Sequence, residues 1–598
     1  MITNLITLYK QSIRPIQNQK AEATKNLLAA QSNPVSNSSL IAAYIKNHSN
    51  AQSKIVSNSS LITAYLKNQA NINSAMLKPV GMKPNTDFIY KNELKKSFQN
   101  NDVKMLAIVP RIFNAKDKNK DAIIGDGEES GTFLNAIDRL DEVKSQGFNT
   151  LHLLPIHEPG KKKAMGTAGS LYSPLDLLEI DPMLDDKRDP RTVKEEFKTF
   201  VNECHKRGIR VMLDLPSCSS YDLFEKQPEL MAKERDGLAK TPQGWNDIRM
   251  FQPWEDEGKR TLNPKLVDLH KKYVDMCIDC GVDGIRADVA RAKPVEFWDV
   301  IIPYSHSKDP QFAWLAESYT YEDASPQANM PFDRPKDSLK AGFDSYYGQY
   351  HIFHEWGTAS ELTNFVKENL EMSYDLEKGK SLIGSFATHD DLSPMFNGGA
   401  EYCNLTTGLQ ATLPMTNPYI VDGFQSGDNY VYPYEDQFSQ KSLTDNHELT
   451  VHRGKMDIFN LSRRPGGDQP EIGNFLTETF KMRDKYADVI EKGSFIELRK
   501  EGDKNDQVIA YARHFNGKTL LVVANKNIDR NSSATIKVPT LRENQDLTNL
   551  LPAYGAKSEL QTSDGEIRVD LAPARIHVFE IDTPNIQNST KNVFKQNL

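Results

Sequence analysis

Three acidic residues stand out by their position. Asp288 lies in Gly-Ile-Arg-Ala-Asp-Val, Glu317 in Trp-Leu-Ala-Glu-Ser and Asp390 in Phe-Ala-Thr-His-Asp-Asp. Each follows a short apolar run that reads as a β-strand. A carboxylate buried there is costly unless it has a partner, and three independent buried ion pairs at three strand ends make a strained explanation. Paired carboxylates can instead do nucleophilic and acid–base work. Cleavage of a glycosidic bond with retention needs a carboxylate nucleophile and a protonated carboxylic acid about 5 Å apart across the sugar, the pKa of the acid being raised by its surroundings. Asp288 suits the nucleophile, because Arg286 lies two residues earlier on the same strand face and can keep it ionised. Glu317 suits the acid, with Trp314, Leu315 and Ala316 as apolar cover. His389 and Asp390 would grip the hydroxyls of the distorted sugar and favour its cationic transition state.

The elements that must position these residues are legible as an alternation of short apolar runs with amphipathic helical patterns. Strands are expected at 105–110, 150–156, 210–216, 284–290, 312–318, 342–346, 382–388 and 419–424. Between them, 131–148 carries Phe133, Leu134, Ile137, Leu140 and Val143 at helical spacing. Asp189-Pro190 and Asn263-Pro264 supply the N-cap and first-turn proline of two further helices. Eight βα units predict an α/β fold, a (β/α)8 TIM barrel over 96–492, whose active site belongs at the C-terminal ends of the strands. The pattern breaks at 217–261, read as a short inserted subdomain after strand 3. Beyond 493 the alternation is that of an all-β sandwich domain to 583, followed by a polar tail, 584–598, expected to fray.

The bulk numbers fit this division. A chain of 598 residues exceeds one ordinary core, and 38 % hydrophobic with 26 % charged residues and a formal net charge of −8 describes a soluble protein that does not bind nucleic acid. Residues 1–19 lack the apolar run of a secretory signal, and no stretch approaches the roughly twenty apolar residues of a membrane span. Five cysteines argue against a disulfide framework, so a cytoplasmic location is expected. Cys277 and Cys280 form a C-x-x-C, but they lie on the apolar stripe of a helix with no second metal-ligand pair nearby, which reads as core packing. Residues 1–95 are rich in Asn, Ser and Gln, and the segment beginning at Ser36 returns at Ser57, 21 residues later. A flexible leader is the plainer reading, and a docking segment for a protein partner is the alternative.

The order Arg-x-Asp, Glu, His-Asp on successive strands resembles glycoside hydrolase family 13, the α-amylase family, over about residues 105–581. The resemblance implies that Asp288 is the nucleophile, Glu317 the acid/base and Asp390 the transition-state stabiliser, with Arg286 and His389 as sugar-site contacts. Tyr172-Ser-Pro-Leu-Asp176 is similar to the family's Tyr-x-x-x-Asp after strand two. Tyr172 would then stack on the sugar being cleaved, ordinary packing being the alternative. Asp117, Asn119, Asp121 and Asp126 alternate oxygen ligands in a spacing that suits calcium. They are similar to a divalent-ion loop of the family's oligosaccharide α-glucosidases, although one extra residue separates Asp121 from Asp126 and the usual glycine is missing. A solvated acidic turn is the competing reading.

The departures from the family point to a branch. Where the family has Asp-x-x-x-Asn-His after strand three, this chain has Asp214-Leu-Pro-Ser-Cys218-Ser219, without the His that would touch the sugar. That Cys-Ser, the segment 292–298 and Gly169-Ser-Leu-Tyr172 resemble the maltosyltransferase-type branch, which moves maltosyl units onto glucan chains. Members of that branch usually carry additional domains before the barrel, which residues 1–95 do not resemble. The expectation is a retaining α-glycosidase acting on starch, glycogen or maltooligosaccharides, with no organic cofactor and no membrane partner. An α-glucan transglycosylase of the same family is the first alternative and a non-catalytic glucan-binding protein the second. Lys161, Lys162 and Lys163 could hold phosphate for a transferase, although a triple lysine more often marks a solvated loop.

Overall fold

A computed structural model describes residues 90–116, 118, 127–164, 170–242, 247–318, 335–428, 469–539, 541–542, 547–552, 560–583, 586 and 593–598. The described residues all belong to one compact unit, Tyr90–Leu598. The 21-residue repeat therefore lies outside them.

Eight parallel strands close into a barrel. They are β1 Met105–Ile108, β2 Thr150–Leu153, β3 Arg210–Leu215, β4 Gly284–Ala287, β5 Ala313–Ala316, β6 Ser345–Tyr347, β7 Ser381–Ile383 and β8, which runs in two pieces, Thr416–Asn417 and Tyr419–Val421. The first piece of β8 pairs with β7 and the second with β1, which shuts the ring. Pro418 divides β8 because it has no N–H to give the ladder, while its carbonyl accepts from Met105 N at 2.8 Å. A strand expected from 419 onward thus misses the piece before the proline.

Alternation along the strands sorts the side chains. Met105, Ala107, Met212, Ala313, Leu315, Tyr347, Ile383 and Tyr419 fill the barrel interior. Leu106, Leu151, Val211, Ile285, Trp314 and Tyr346 face the surrounding helices. This parity corrects one expectation. Trp314 packs outward against Trp298 and Phe343, with ring centroids 5.9 and 6.0 Å away, and its Nε1 donates to Ser305 Oγ at 2.9 Å. It therefore cannot cover Glu317, which lies an odd number of residues along the strand and on the other face.

The helices begin where local hydrogen bonds dictate. The one expected from Asp189 starts instead at Thr192 and runs over Val193–Lys206. Thr192 and Glu195 form a reciprocal capping box, whereas the Asp189 carboxylate is taken by Arg191 at 2.8 and 2.9 Å. Asn263 caps Pro264–Asp279 as expected, accepting from Lys265 N and Leu266 N. Cys204, Cys277, Cys280 and Cys403 are thiols in the helix-facing core.

After β3, Cys218–Ser220 pairs antiparallel with Ile248–Met250 around a small apolar cluster of Cys218, Ala232, Ile248 and Met250. Beyond residue 493 a five-stranded and a four-stranded sheet enclose Ile496, Val508, Leu521, Val523, Ile536, Ile567 and Val569. The polar tail does not fray over 593–597. Val593–Phe594 pairs with Ser494–Glu497, and Gln596 Nε2 donates to Glu491 O at 2.8 Å. Among the described residues, no helix is long and apolar enough to cross a membrane.

Candidate active site

β4 ends at Ala287 and β5 at Ala316, so Asp288 and Glu317 are the first residues past the C-terminal ends of adjacent strands. Arg286, on β4, joins them. Its Nη1 donates to Asp288 Oδ1 at 2.9 Å and its Nη2 to Glu317 Oε2 at 2.7 Å. The same Nη1 donates to Asp214 Oδ1 at 2.8 Å, from the end of β3. One guanidinium thus serves three carboxylates, which its planar fork of five donors allows. Its side chain is 1 % exposed, and its Cζ lies 5.8 and 5.5 Å from the ring centroids of Tyr172 and Tyr347.

One positive charge does not balance three negative ones, and the surplus falls unevenly. Against the cost of burial, Arg286 beside Asp214, aided by His152, holds that carboxyl at about 2. Asp288 goes the other way. Burial, followed by the Glu317 and Asp214 charges, outweighs Arg286 and the Ser217 hydrogen bond and pushes Asp288 up to about 7. Arg286 alone therefore does not keep Asp288 ionised, as the sequence suggested it would. Asp288, which shares one guanidinium with Glu317, thus tends to retain a proton near neutrality. Ser217 completes the Asp288 clamp, its N–H and Oγ–H both donating to Oδ2, at 2.9 and 2.6 Å.

A second layer lies beside this cluster. Tyr172 OH donates to Asp214 Oδ2 at 2.8 Å and lies 2.6 Å from His389 Nε2. With the Tyr172 proton directed to Asp214, the short contact assigns the N–H to His389 Nε2. The two rings stack 5.7 Å apart and 12° from parallel. Burial and the Arg286 charge hold His389 well below the ordinary imidazole range, so it is a neutral donor. Asp390 stands at the rim, with Oδ2 3.6 Å from His389 Nε2 and a side chain 44 % exposed, open to a sugar.

The structure therefore brings together Asp288, Glu317, Arg286, His389 and Tyr172, with Asp390 at the edge. Asp176 does not join them: its Oδ1 caps Leu178 N at 3.0 Å and its Oδ2 pairs with Lys226 Nζ at 3.2 Å. Asp117, Asn119, Asp121 and Asp126 lie outside the described residues. Among the described residues, no group of three or more His, Cys, Asp or Glu is arranged to hold a metal. The lysine run is tied down locally. Lys161 pairs with Glu158 at 2.8 Å, Lys162 pairs with Glu225, and Lys163 Nζ sits 3.9 Å from the centre of the Tyr221 ring.

Several members of the network were not singled out as site residues from the sequence. Asp214 carries a signal, being an acid at a strand end. His152 carries a weaker one, as an inward residue of β2; its Nε2 lies 3.4 Å from Asp214 Oδ2 and its Nδ1 3.1 Å from Tyr419 OH. Ser217, which donates to Asp288 from both its N–H and its hydroxyl, and Val289, whose N–H donates to Glu317 Oε2 at 2.8 Å, follow no motif or periodicity that marks them out. Lys293, 2 % exposed, reaches Ser217 O at 3.2 Å from beneath the cluster. Burial lowers its ammonium to about 8, against the pull of Cys218 and Asp288.

No family model matches the chain. It is 24 % identical over 452 residues to an α-1,4-glucan:maltose-1-phosphate maltosyltransferase of Cereibacter sphaeroides, covering 69 % of this chain and 65 % of the relative. A protein of the same name from Picrophilus torridus is 24 % identical over 451 residues, covering 71 % of this chain and 63 % of its own length. The chain thus spans slightly less than two thirds of the length of these relatives. Among solved structures, a maltogenic α-amylase of Thermotoga neapolitana superposes with a TM-score of 0.58 at 20 % identity, covering 81 % of this chain and all of the amylase. An α-amylase of Lactobacillus plantarum gives 0.58 at 19 % identity, covering 81 % and 99 %. The barrel fold is shared with these amylases. The chain thus resembles enzymes of glycoside hydrolase family 13 and is related, at low identity, to the maltosyltransferases among them.

Proposed function

We propose that this protein is an α-glucan transglycosylase that moves maltosyl units by double displacement, with Asp288 as nucleophile and Glu317 as acid/base. The observation that carries the chemistry is the pair itself, two carboxylates past adjacent strand ends bridged by Arg286. Transfer is preferred to hydrolysis because the relatives that align along two thirds of the chain are named as maltosyltransferases.

In the first step Glu317 gives its proton to the departing oxygen while an Asp288 oxygen bonds the anomeric carbon, forming a maltosyl ester of inverted configuration. In the second, Glu317 takes the proton from an acceptor hydroxyl, which attacks the same carbon and expels Asp288. The two inversions give net retention. Arg286 and Ser217 fix both oxygens of Asp288 and stabilise its charge when it leaves. Tyr172 offers an aromatic face beside the cluster, and Asp390 and His389 supply hydroxyl partners at the rim. A donor with a phosphate leaving group would place less demand on Glu317 in the first step.

The experiment is a product profile with maltohexaose, with and without maltose 1-phosphate. Chains lengthened in steps of two glucosyl units, with phosphate released in proportion, support maltosyl transfer. Shorter sugars alone would favour a hydrolase built on the same carboxylates, and no turnover with either mixture would contradict the catalytic reading.

A further inference from the structure

Val289 follows Asp288 directly and has φ +34° and ψ +62°. Among the described non-glycine residues with positive φ, namely Asn101, Lys163, Arg260, Val289, Met415, Asp506, Asn516 and Ala574, it alone is β-branched. That is the residue class least suited to the left-handed region. Outliers of this kind persist only where the surroundings over-determine them, and two sets of contacts do so here. The side chain of Val289, with Ala292, packs on the apolar cluster of Cys218, Ala232, Ile248 and Met250 in the segment inserted after β3. On the backbone side, Val289 N donates to Glu317 Oε2 at 2.8 Å and Ala290 N to Glu317 O at 3.1 Å. Ala292 N closes the turn onto Val289 O at 2.7 Å.

We propose that Val289 is a positioning residue for Glu317: its left-handed turn, pinned by the inserted segment, directs two successive backbone amides onto the acid/base. The two amides take different oxygens of Glu317, Val289 N the carboxyl and Ala290 N the backbone carbonyl, so side chain and main chain are held by the same turn. Arg286 Nη2 and Val289 N then converge on Oε2, which fixes the rotation of the carboxyl. The inserted segment thereby holds both carboxylates, Asp288 through Ser217 and Glu317 through Val289. The inference rests on the assignment of Glu317 as acid/base.

The test separates proton donation from everything else. In Val289→Gly the backbone can adopt the same turn without strain, but the apolar anchor is gone and the amides are free to move. The value of kcat/KM reports only the steps up to formation of the glycosyl-enzyme, and α-maltosyl fluoride reaches that point without a proton donor. For Val289→Gly, kcat/KM on maltohexaose is expected to fall about tenfold or more, within the range that general acid catalysis supplies. On the fluoride it should fall less than about threefold, which also shows that the variant has folded. Val289→Ile, which keeps the branch and its packing, should recover most of the loss. Equal losses on both substrates, or no loss on maltohexaose, would overturn the positioning role while leaving the proposed activity intact. A wild type inert toward both substrates would instead remove the proposed function, and this inference with it.

Discussion

Replacing Ser217 by Ala removes one hydrogen bond from Asp288 and little else, because Ser217 N still donates to the same oxygen at 2.9 Å. The lost contact is the hydroxyl donor at 2.6 Å, and hydrogen bonds to a charged group are worth about 1.5–3 kcal/mol. Asp288 is 12 % exposed, so water compensates in part and the lower figure applies. At about 1.4 kcal/mol per pH unit, that is a rise of about one unit. The direction is fixed: a donor to the carboxylate favours the charged form, so its removal favours the neutral one. Starting from about 7, the acid limb of the kcat/KM–pH profile should move to about 8. At pH 7 the ionised fraction of Asp288 would drop from about one half to about one tenth, an approximately fivefold loss of rate, and above about pH 9 variant and wild type should converge. Profiles measured on maltohexaose between pH 5 and 10 supply the comparison. A loss that is uniform in pH, with the acid limb unmoved, would refute the reasoning, because it would show that Ser217 places Asp288 without tuning its charge.

Three other outcomes are expected. Asp288→Asn should abolish turnover and stabilise the fold increasingly with pH. The folded-state value of about 7 exceeds the ordinary 3.8, so between these values the folded chain holds a proton that the unfolded chain has lost, and wild-type stability falls as pH rises across that window. The gap of about three pH units sets a ceiling of about 4 kcal/mol, reduced by the weaker Arg286 and Ser217 contacts of the amide; thermal unfolding from pH 4 to 8 checks it, and a difference independent of pH would count against it. Arg286→Met should cost about 3–5 kcal/mol in urea unfolding, since it strands Asp214, Asp288 and Glu317 together, and a cost below about 1 kcal/mol would show that the carboxylates do not depend on it. Asp390→Asn removes a carboxyl from an exposed rim position, so turnover should fall by about two orders of magnitude or more while the melting temperature stays within a degree or two of wild type.

The barrel was legible because its signal repeats: eight short apolar runs separated by helical patterns, with an acid closing several of them. The candidate carboxylates were legible for the same reason, each standing one step beyond a strand or in the loop that follows it. Errors arose where one local interaction outcompeted another. Thr192 rather than Asp189 caps its helix, because Glu195 completes a capping box while Arg191 neutralises Asp189. Which face Trp314 occupies is not legible in the sequence; three residues before Glu317, it falls on the opposite side of the strand and packs outward. Thr416–Asn417 was missed because two residues before a proline carry no periodicity. Val289 contributes a main-chain N–H, which every residue but proline has, and Ser217 adds a hydroxyl that nothing in the neighbouring sequence marks out, so only the folded geometry identifies them. The polar tail carries no hydrophobic pattern, yet Gln596 and Asn597 anchor it through side-chain amides on backbone carbonyls.

The central claim is that Asp288 becomes covalently attached to the sugar while Glu317 manages the proton. Glu317→Ala incubated with α-maltosyl fluoride tests it most directly, because the first step then needs no acid and the second lacks its base. Mass spectrometry of the digested protein should find a single maltosyl unit on the peptide that contains Asp288, absent from Asp288→Asn/Glu317→Ala. An adduct on another peptide, or no adduct from a variant that still releases fluoride in a single turnover, would contradict the account.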